Sequence, residues 1–384
     1  MKTFRLLILG AGFSKPANLP LADELFREVR RRVRNLYGND NSLERDIKYY
    51  FNYLQNTEGF LGSVDDIKIE KLLSFLDVEH YLELKGSDTW STDGNETQLL
   101  VRHTIGYVLL DRTPKNVPEI YKQFARKLTP SDWVLTFNYD TLLEQALDSV
   151  GIPYRLFPYR YSEVSSNGLA TVDNTHEEVV ILKMHGSIDW FDKHNYNNHV
   201  KSAIKSSTPY NVKHPLFGMN SKIQSESIVD GPRFENDPLL QIYRVKDLFS
   251  IYSGSYQYWE CPPFLLNPSH NKLLYSKPIV EFWSGLGRSG GLNLGLGIIG
   301  YSLPDYDDYA CQTIYKVARN YQQYEPNFEL DGRTKQPIRI LDFRPNDNEK
   351  EDLQKRYQFM NKDVSRTQYW YKGLSLEGIE WFMA

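Results

Sequence analysis

Cysteine is nearly missing: the 384-residue chain has two, Cys261 and Cys311, and no CxxC pair. That excludes a four-cysteine zinc module, offers no disulfide framework, and fits a reducing compartment. Cys311 shares a helical pattern with Ala310, Ile314 and Val317 and reads as a core residue. No apolar run approaches the ~18 residues of a membrane span. The opening MKTFRLLILGAG is too short for a signal-peptide core, and no cleavage pattern follows it. A cytoplasmic protein without membrane association is expected. Excess positive charge is missing too: 45 Lys and Arg against 49 Asp and Glu leave a net charge of −4. That balance gives no case for direct nucleic-acid binding. Internal repeats and low-complexity tracts are absent.

What the chain has in quantity is tyrosine, 27 residues in an aromatic fraction of 14%. Tyrosine joins apolar area to a polar tip and suits partly wet contacts. It predicts self-association, or simply many half-buried positions.

Apolar runs predict strands at Phe4–Leu9, Trp133–Phe137, Tyr154–Phe157, Val179–Met184, Leu294–Gly300 and Ile338–Phe343. Helical spacing marks Leu21–Leu36, Leu99–Leu110, Asp140–Val150 and Asp305–Tyr321, and Ile67, Leu72, Leu73, Leu76 and Leu84 suggest one more. Arg27, Arg30, Arg31, Arg32 and Arg34 lie mostly off the apolar face of the first helix. They read as a solvated surface, or else as a phosphate or partner contact. Polar breaks are expected at Tyr37–Ser42 and Gly86–Asn95. The alternation predicts an α/β fold, a Rossmann-like parallel sheet of about six strands with right-handed crossovers. One domain over 1–384 is expected, with a large helical insertion at about 37–128 and a second, loop-rich insertion at about 191–277. The aromatic stretch Tyr369–Ala384 is expected to pack back on the chain, with an oligomer contact as the alternative.

Ligands of such sheets bind beyond the carboxyl ends of strands. Three motifs fall at such ends: LILGAGFS at Leu7–Ser14, TFNYD at Thr136–Asp140 and KMHGS at Lys183–Ser187, followed by GYS at Gly300–Ser302. Gly10, Ala11 and Gly12 lie between a strand and a helix, where glycines admit a pyrophosphate near the helix's free N–H groups or merely permit tight packing. Lys15 breaks the GxGxxG fingerprint of hydride-transfer enzymes. Asn138 and Asp140 are common loop and cap residues as well as candidate site residues. His185 is either a satisfied structural histidine or a base for a sugar hydroxyl.

At these residues the chain resembles the sirtuin superfamily, which carries GAG-x-S, T-x-N-x-D, H-G and G-x-S at corresponding strand ends. The phrases GAGFSKPANLP, TFNYDTLLE, MHGSIDW and GYSLPDYD are similar to the sirtuin-like domains of bacterial antiphage defence systems. The resemblance covers the strands but neither insertion. The sirtuin Gln before the Asn is Phe137 here, and Leu21-Ala22-Asp23 replaces the acidic-Phe-Arg segment. With no zinc module, these departures argue against acyl-lysine deacylation.

The resemblance implies that Gly10, Ala11, Gly12 and Ser14 hold the pyrophosphate of NAD and that Asp140 meets the nicotinamide carboxamide. Asn138 and His185 would be catalytic, at the nicotinamide ribose. Gly300 and Ser302 would line the adenosine side, with Asp342 reaching a ribose hydroxyl. The implied reaction is NAD+ hydrolysis to ADP-ribose and nicotinamide, with NAD as substrate and no metal. The implied setting is abortive antiphage defence, as a homo-oligomer with a HerA-type ATPase partner. The alternatives are a non-catalytic NAD or ADP-ribose sensor gating that ATPase, and an NAD-dependent deacylase.

Overall fold

Strand ends in register organise this chain. The computed structural model describes residues 4–84, 91–206, 214–218, 221–254, 258–286, 293–323, 329–330 and 333–384. Its main sheet contains β1 (Arg5–Leu9), β2 (Asp132–Thr136), β3 (Tyr154–Arg155), β4 (Val179–Lys183), β5 (Gly295–Ile299), β6 (Arg339–Leu341) and β7 (Gln368–Trp370). The order is β7-β6-β5-β1-β2-β4-β3 and every pairing is parallel. β1, β4 and β5 are buried along their whole length, as their apolar runs require.

Leu9 pairs with Thr136 on one side and Ile299 on the other. Thr136 pairs with Lys183, Ile299 with Leu341, and Leu341 with Trp370. The residues that follow these six positions therefore emerge along one edge. From β1 the chain builds one half of the sheet, then returns to build the other, so that edge holds a topological switch point.

Between β1 and β2 run the helices Ala22–Tyr37, Ser42–Glu58, Ile69–Tyr81, Glu96–Arg112 and Glu119–Arg126. Asn41 caps the second by accepting from the Glu44 amide, and Asn95 and Gln98 cap the fourth reciprocally.

Several expectations are corrected. The parallel sheet of about six strands is present, with β7 as a seventh that carries no apolar run of its own. Leu84 lies outside the helix Ile69–Tyr81 and is exposed. The break at Gly86–Asn95 falls in part outside the described residues. Among the arginines, Arg27 and Arg31 are exposed as a solvated face requires, but Arg30, Arg32 and Arg34 have partners on other helices or loops. Arg30 and Arg34 both grip the Glu44 carboxylate, Arg30 also reaches Asp65, and Arg32 stacks 3.8 Å from the Tyr107 ring centroid. Cys311 is half-buried rather than fully in the core. The segment read as loop-rich contains a small antiparallel sheet of Trp190–Asp192, Ile242–Val245 and Ser225–Ser227, and the helix His194–Lys205. The C-terminal aromatics do pack back: the helix Leu376–Met383 sets Phe382 against Gly297 of β5, and Trp381 lies 5.7 Å from Trp370.

The register of the central strands is pinned at their start. Arg5 donates from Nε and Nη2 to the two carboxylate oxygens of its register neighbour Asp132, at 2.8 and 2.7 Å. The same guanidinium reaches the Lys127 carbonyl at 2.9 Å. Arg5→Met leaves Asp132 buried without its cation and is expected to lower the unfolding free energy by ~3–5 kcal/mol. Denaturant midpoints at an unchanged slope measure this. A loss below ~1 kcal/mol would refute the pinning role, since it falls under the cost of an orphaned buried carboxylate.

Candidate functional site

A cleft of about 930 Å³ opens along the carboxyl edge of the sheet. Ala11, Gly12, Ser14, Asn138, Asp140, His185, Gly300, Ser302 and Asp342 all line it, whereas Gly10 does not. The fold thus brings the residues singled out from the sequence to one place, with Gly10 just behind them.

The glycines are first of all a packing requirement. The Gly10 amide donates to the Ile299 carbonyl and the Gly12 amide to the Gly300 carbonyl, each at 2.9 Å. A Cβ on Gly12 would stand 2.7 Å from Gly300 Cα, and one on Gly300 2.4 Å from the Gly12 carbonyl carbon. Gly300 also has φ +60°, where L side chains are strained. The expected long helix does not follow the turn directly. A four-residue helix, Ala11–Ser14, and a 3-10 turn, Lys15–Ala17, come first, and a dipole of that length is small.

Asn138 bridges the two motif loops. Its Nδ2 donates to the Gly10 carbonyl at 3.0 Å and to Ser14 Oγ at 3.1 Å. A carbonyl needs a donor, so the amide orientation is fixed. Oδ1 has no hydrogen-bond partner among the described residues and remains an available acceptor. Asp140 is not the N-cap of the helix Leu142–Val150, which is Thr141; it lies one residue before it, and its Oδ1 accepts from the Leu142 amide at 3.0 Å. Its carbonyl receives Lys183 Nζ, which also pairs with Glu144 at 2.8 Å in full burial. The lysine of KMHGS therefore fastens the TFNYD loop, a link that motif spacing does not reveal.

His185 is held from three directions. Behind it, Gly186 adopts φ +79°, and a Cβ there would meet the Phe264 carbonyl at 2.1 Å. The Leu266 amide donates to the His185 carbonyl at 2.9 Å, so the long segment between β4 and β5 clamps this turn. Nε2 lies 2.5 Å from the Tyr309 hydroxyl, which has no other hydrogen-bond partner among the described residues and so donates there. This assigns the Nδ1–H tautomer, with Nε2 accepting from Tyr309. Burial is the main force pushing the imidazole pKa down to about 3, with Lys272 adding and Asp307 opposing. His185 is neutral at physiological pH.

Four neighbours escaped the sequence reading. Tyr301 stacks on Phe137 at 4.1 Å between centroids, with 8° between planes. Its hydroxyl donates to Asp307 Oδ2 at 2.8 Å, and Asp307 Oδ1 is ion-paired with Lys272. Tyr309 caps His185. Tyr301, Asp307 and Tyr309 sit in the run GYSLPDYDDY, so proximity to GYS was an available signal. Lys272 comes from an aperiodic stretch that offered none. Asp342, expected at a ribose hydroxyl, already accepts from the Phe343 amide at 2.8 Å and from Arg344 at 3.0 Å. Among the described residues, no group of three or more His, Cys, Asp or Glu is placed to hold a metal.

A family model described as a SIR2-like domain matches residues 132–221, the stretch that carries TFNYD and KMHGS. No curated protein matches the chain. Among solved structures, it is similar to a sirtuin from a study of the structural basis of sirtuin substrate affinity. The identity is 12%, covering 99% of this chain and 93% of that one, with a TM-score of 0.32. It is also similar to Sir2Tm bound to a propionylated peptide, at 11% identity over 99% and 92% of the chains, with a TM-score of 0.30. Both TM-scores are low, and neither likeness bears on activity.

An imidazole with its pKa near 3 does not titrate between pH 5 and 8. Nitrogen-15 spectra of histidine-labelled protein are expected to show His185 as the neutral Nδ1–H form throughout that range. An imidazolium signal at pH 6 would contradict the assignment. The sign for stability follows: an unfolded histidine, with a pKa near ~6.5, binds a proton that the folded one refuses, so His185 costs stability as pH falls from about 6.5 towards 3.

Proposed function

We propose that the cleft binds NAD and hydrolyses it to ADP-ribose and nicotinamide. The observation that carries this reading is the convergence on one cleft of an unpartnered Asn138 Oδ1 and a neutral His185, beside a tight glycine turn. The motif resemblance and the SIR2-like match over 132–221 support it.

The C1′–N bond breaks with its electron pair going to nicotinamide, which leaves neutral, so a strong acid is not needed. Positive charge grows on the ribose, as in other glycosidic cleavages. Asn138 Oδ1 accepts from a water and turns the water's lone pair towards C1′. The new C1′–O bond forms, and the water's proton passes to His185 Nε2, directly or through a ribose hydroxyl, and then to solvent. The Tyr309 hydroxyl donates to Nε2 in the structure, and a ribose hydroxyl offers the same donor chemistry in its place. Asp140 meets the carboxamide, Ala11, Gly12 and Ser14 the pyrophosphate, and Gly300, Ser302 and Asp342 the adenosine. Gly10 acts from behind, through its carbonyl bond to Asn138.

The setting we propose is a NAD-draining antiphage response in the cytoplasm, by a homo-oligomer working with a HerA-type ATPase. Motif resemblance alone supports this part.

Purified protein, alone or co-expressed with its neighbouring genes, is expected to release nicotinamide from NAD. Asn138→Ala and His185→Ala are each expected to cut the rate at least ~100-fold while the melting temperature stays within ~3 °C. Chromatography of nicotinamide and ADP-ribose reads this. Unchanged turnover in both variants would sink the mechanism, and saturable NAD binding without nicotinamide release in any condition would favour the sensing module.

A further inference from the structure

Two buried charges flank His185, and neither belongs to the three motifs. Asp307 immediately precedes the helix Asp308–Tyr321, and Lys272 opens the 3-10 turn Lys272–Tyr275 in the long segment between β4 and β5. Both line the cleft, with exposures of 2% and 0%. Asp307 Oδ1 holds Lys272 Nζ, Oδ2 holds the Tyr301 hydroxyl, and Oδ1 lies 3.8 Å from His185 Nε2. Burying an ion pair costs desolvation that its own attraction often fails to offset, and an apolar pair of equal volume commonly serves a core as well. A charged pair at a cleft wall, beside an imidazole, points to a role beyond packing.

We propose that Asp307 and Lys272 are positioning residues for His185, on the hydrolysis reading given above. The Asp307 carboxylate is the counter-charge for the imidazolium formed when Nε2 takes its proton. Lys272 keeps that carboxylate ionised and offsets its pull on the resting imidazole.

The electrostatics agree in direction. Burial alone would raise the Asp307 carboxyl, but a charge on His185, the Lys272 ammonium and the Tyr301 hydroxyl all pull it down, below the ordinary aspartate range. Burial lowers Lys272, while Asp307, Asp77 and Glu70 oppose that shift. The other groups around His185 are phenols, Tyr139, Tyr301, Tyr306 and Tyr309, all pushed up by burial and uncharged. Behind Lys272, burial raises Asp77 to about 6, with Arg102 opposing. Among the described residues, Asp307 is the carboxylate within 4 Å of the imidazole. The arrangement also gives the long segment between β4 and β5 a part in the chemistry, because Lys272 belongs to it and Asp307 to the other half of the sheet.

The test compares wild type with Asp307→Asn, Lys272→Met and the double variant. The double variant removes both charges at similar volume and guards against misfolding of either single one. Two readouts are taken: the His185 titration by nitrogen-15 spectra, and kcat and KM for NAD. Lys272→Met is expected to raise the His185 pKa by at least ~1 unit and to carry the acid limb of turnover up with it. Asp307→Asn is expected to lower kcat at least ~30-fold with KM within ~3-fold, and to leave His185 neutral at all pH values tested. The double variant is expected to follow Asp307→Asn. The titration needs no turnover, so it judges the charge pair even if NAD hydrolysis is absent. An identical His185 titration in wild type and Lys272→Met, or wild-type kcat in the double variant, overturns the proposal.

Discussion

Gly12 and Gly300 meet backbone to backbone, and the cleft depends on that approach. No Cβ fits between them: each would fall within 2.7 Å of the other's main chain. The contact draws the turn after β1 against the turn after β5 at the point where the chain reverses its direction across the sheet. Tyr301 then lies flat on Phe137, the residue after β2. Asn138 reaches back to Gly10 and Ser14. One steric constraint therefore aligns three strand ends, and the polar groups that face the cleft follow from it.

Two buried lysines complete the alignment. Lys183 ties the end of β4 to the Asp140 carbonyl and to Glu144 in the helix Leu142–Val150. Lys272 ties the long segment between β4 and β5 to Asp307, at the entry to the helix Asp308–Tyr321. Each joins segments far apart in the chain, and each would leave a buried carboxylate without its cation if lost. Between them stands His185, held neutral by burial and by the nearby Lys272 ammonium. The Asp307 carboxylate, 3.8 Å from Nε2, opposes that lowering of the pKa and stands as the counter-charge to the ring.

The strands with apolar runs were legible because burial on both faces leaves no other composition open to them. β7 was not, because an edge strand of three residues is specified by pairing with β6 rather than by its own pattern. The helices were legible by spacing, but the partners of some arginines of the first were not. Arg30 and Arg34 answer to Glu44 on the next helix, a tertiary partner that helical periodicity does not encode. Within the candidate site, the residues at strand ends were visible as motifs. Their closest collaborators were not: Lys272 lies in a stretch without periodicity, and Tyr309 gains its place only when the helix after GYS folds back over His185. The glycine turn was legible as a motif, while its packing role emerged only from the contact with Gly300.

The most direct measurement is a crystal structure of the Asn138→Ala variant with NAD. The account predicts the adenosine at Gly300–Ser302 and the nicotinamide ribose between position 138 and His185. A ribose hydroxyl should lie on Nε2 where the Tyr309 hydroxyl now donates. A dinucleotide bound outside this cleft, or bound with its nicotinamide ribose turned away from His185, would contradict it.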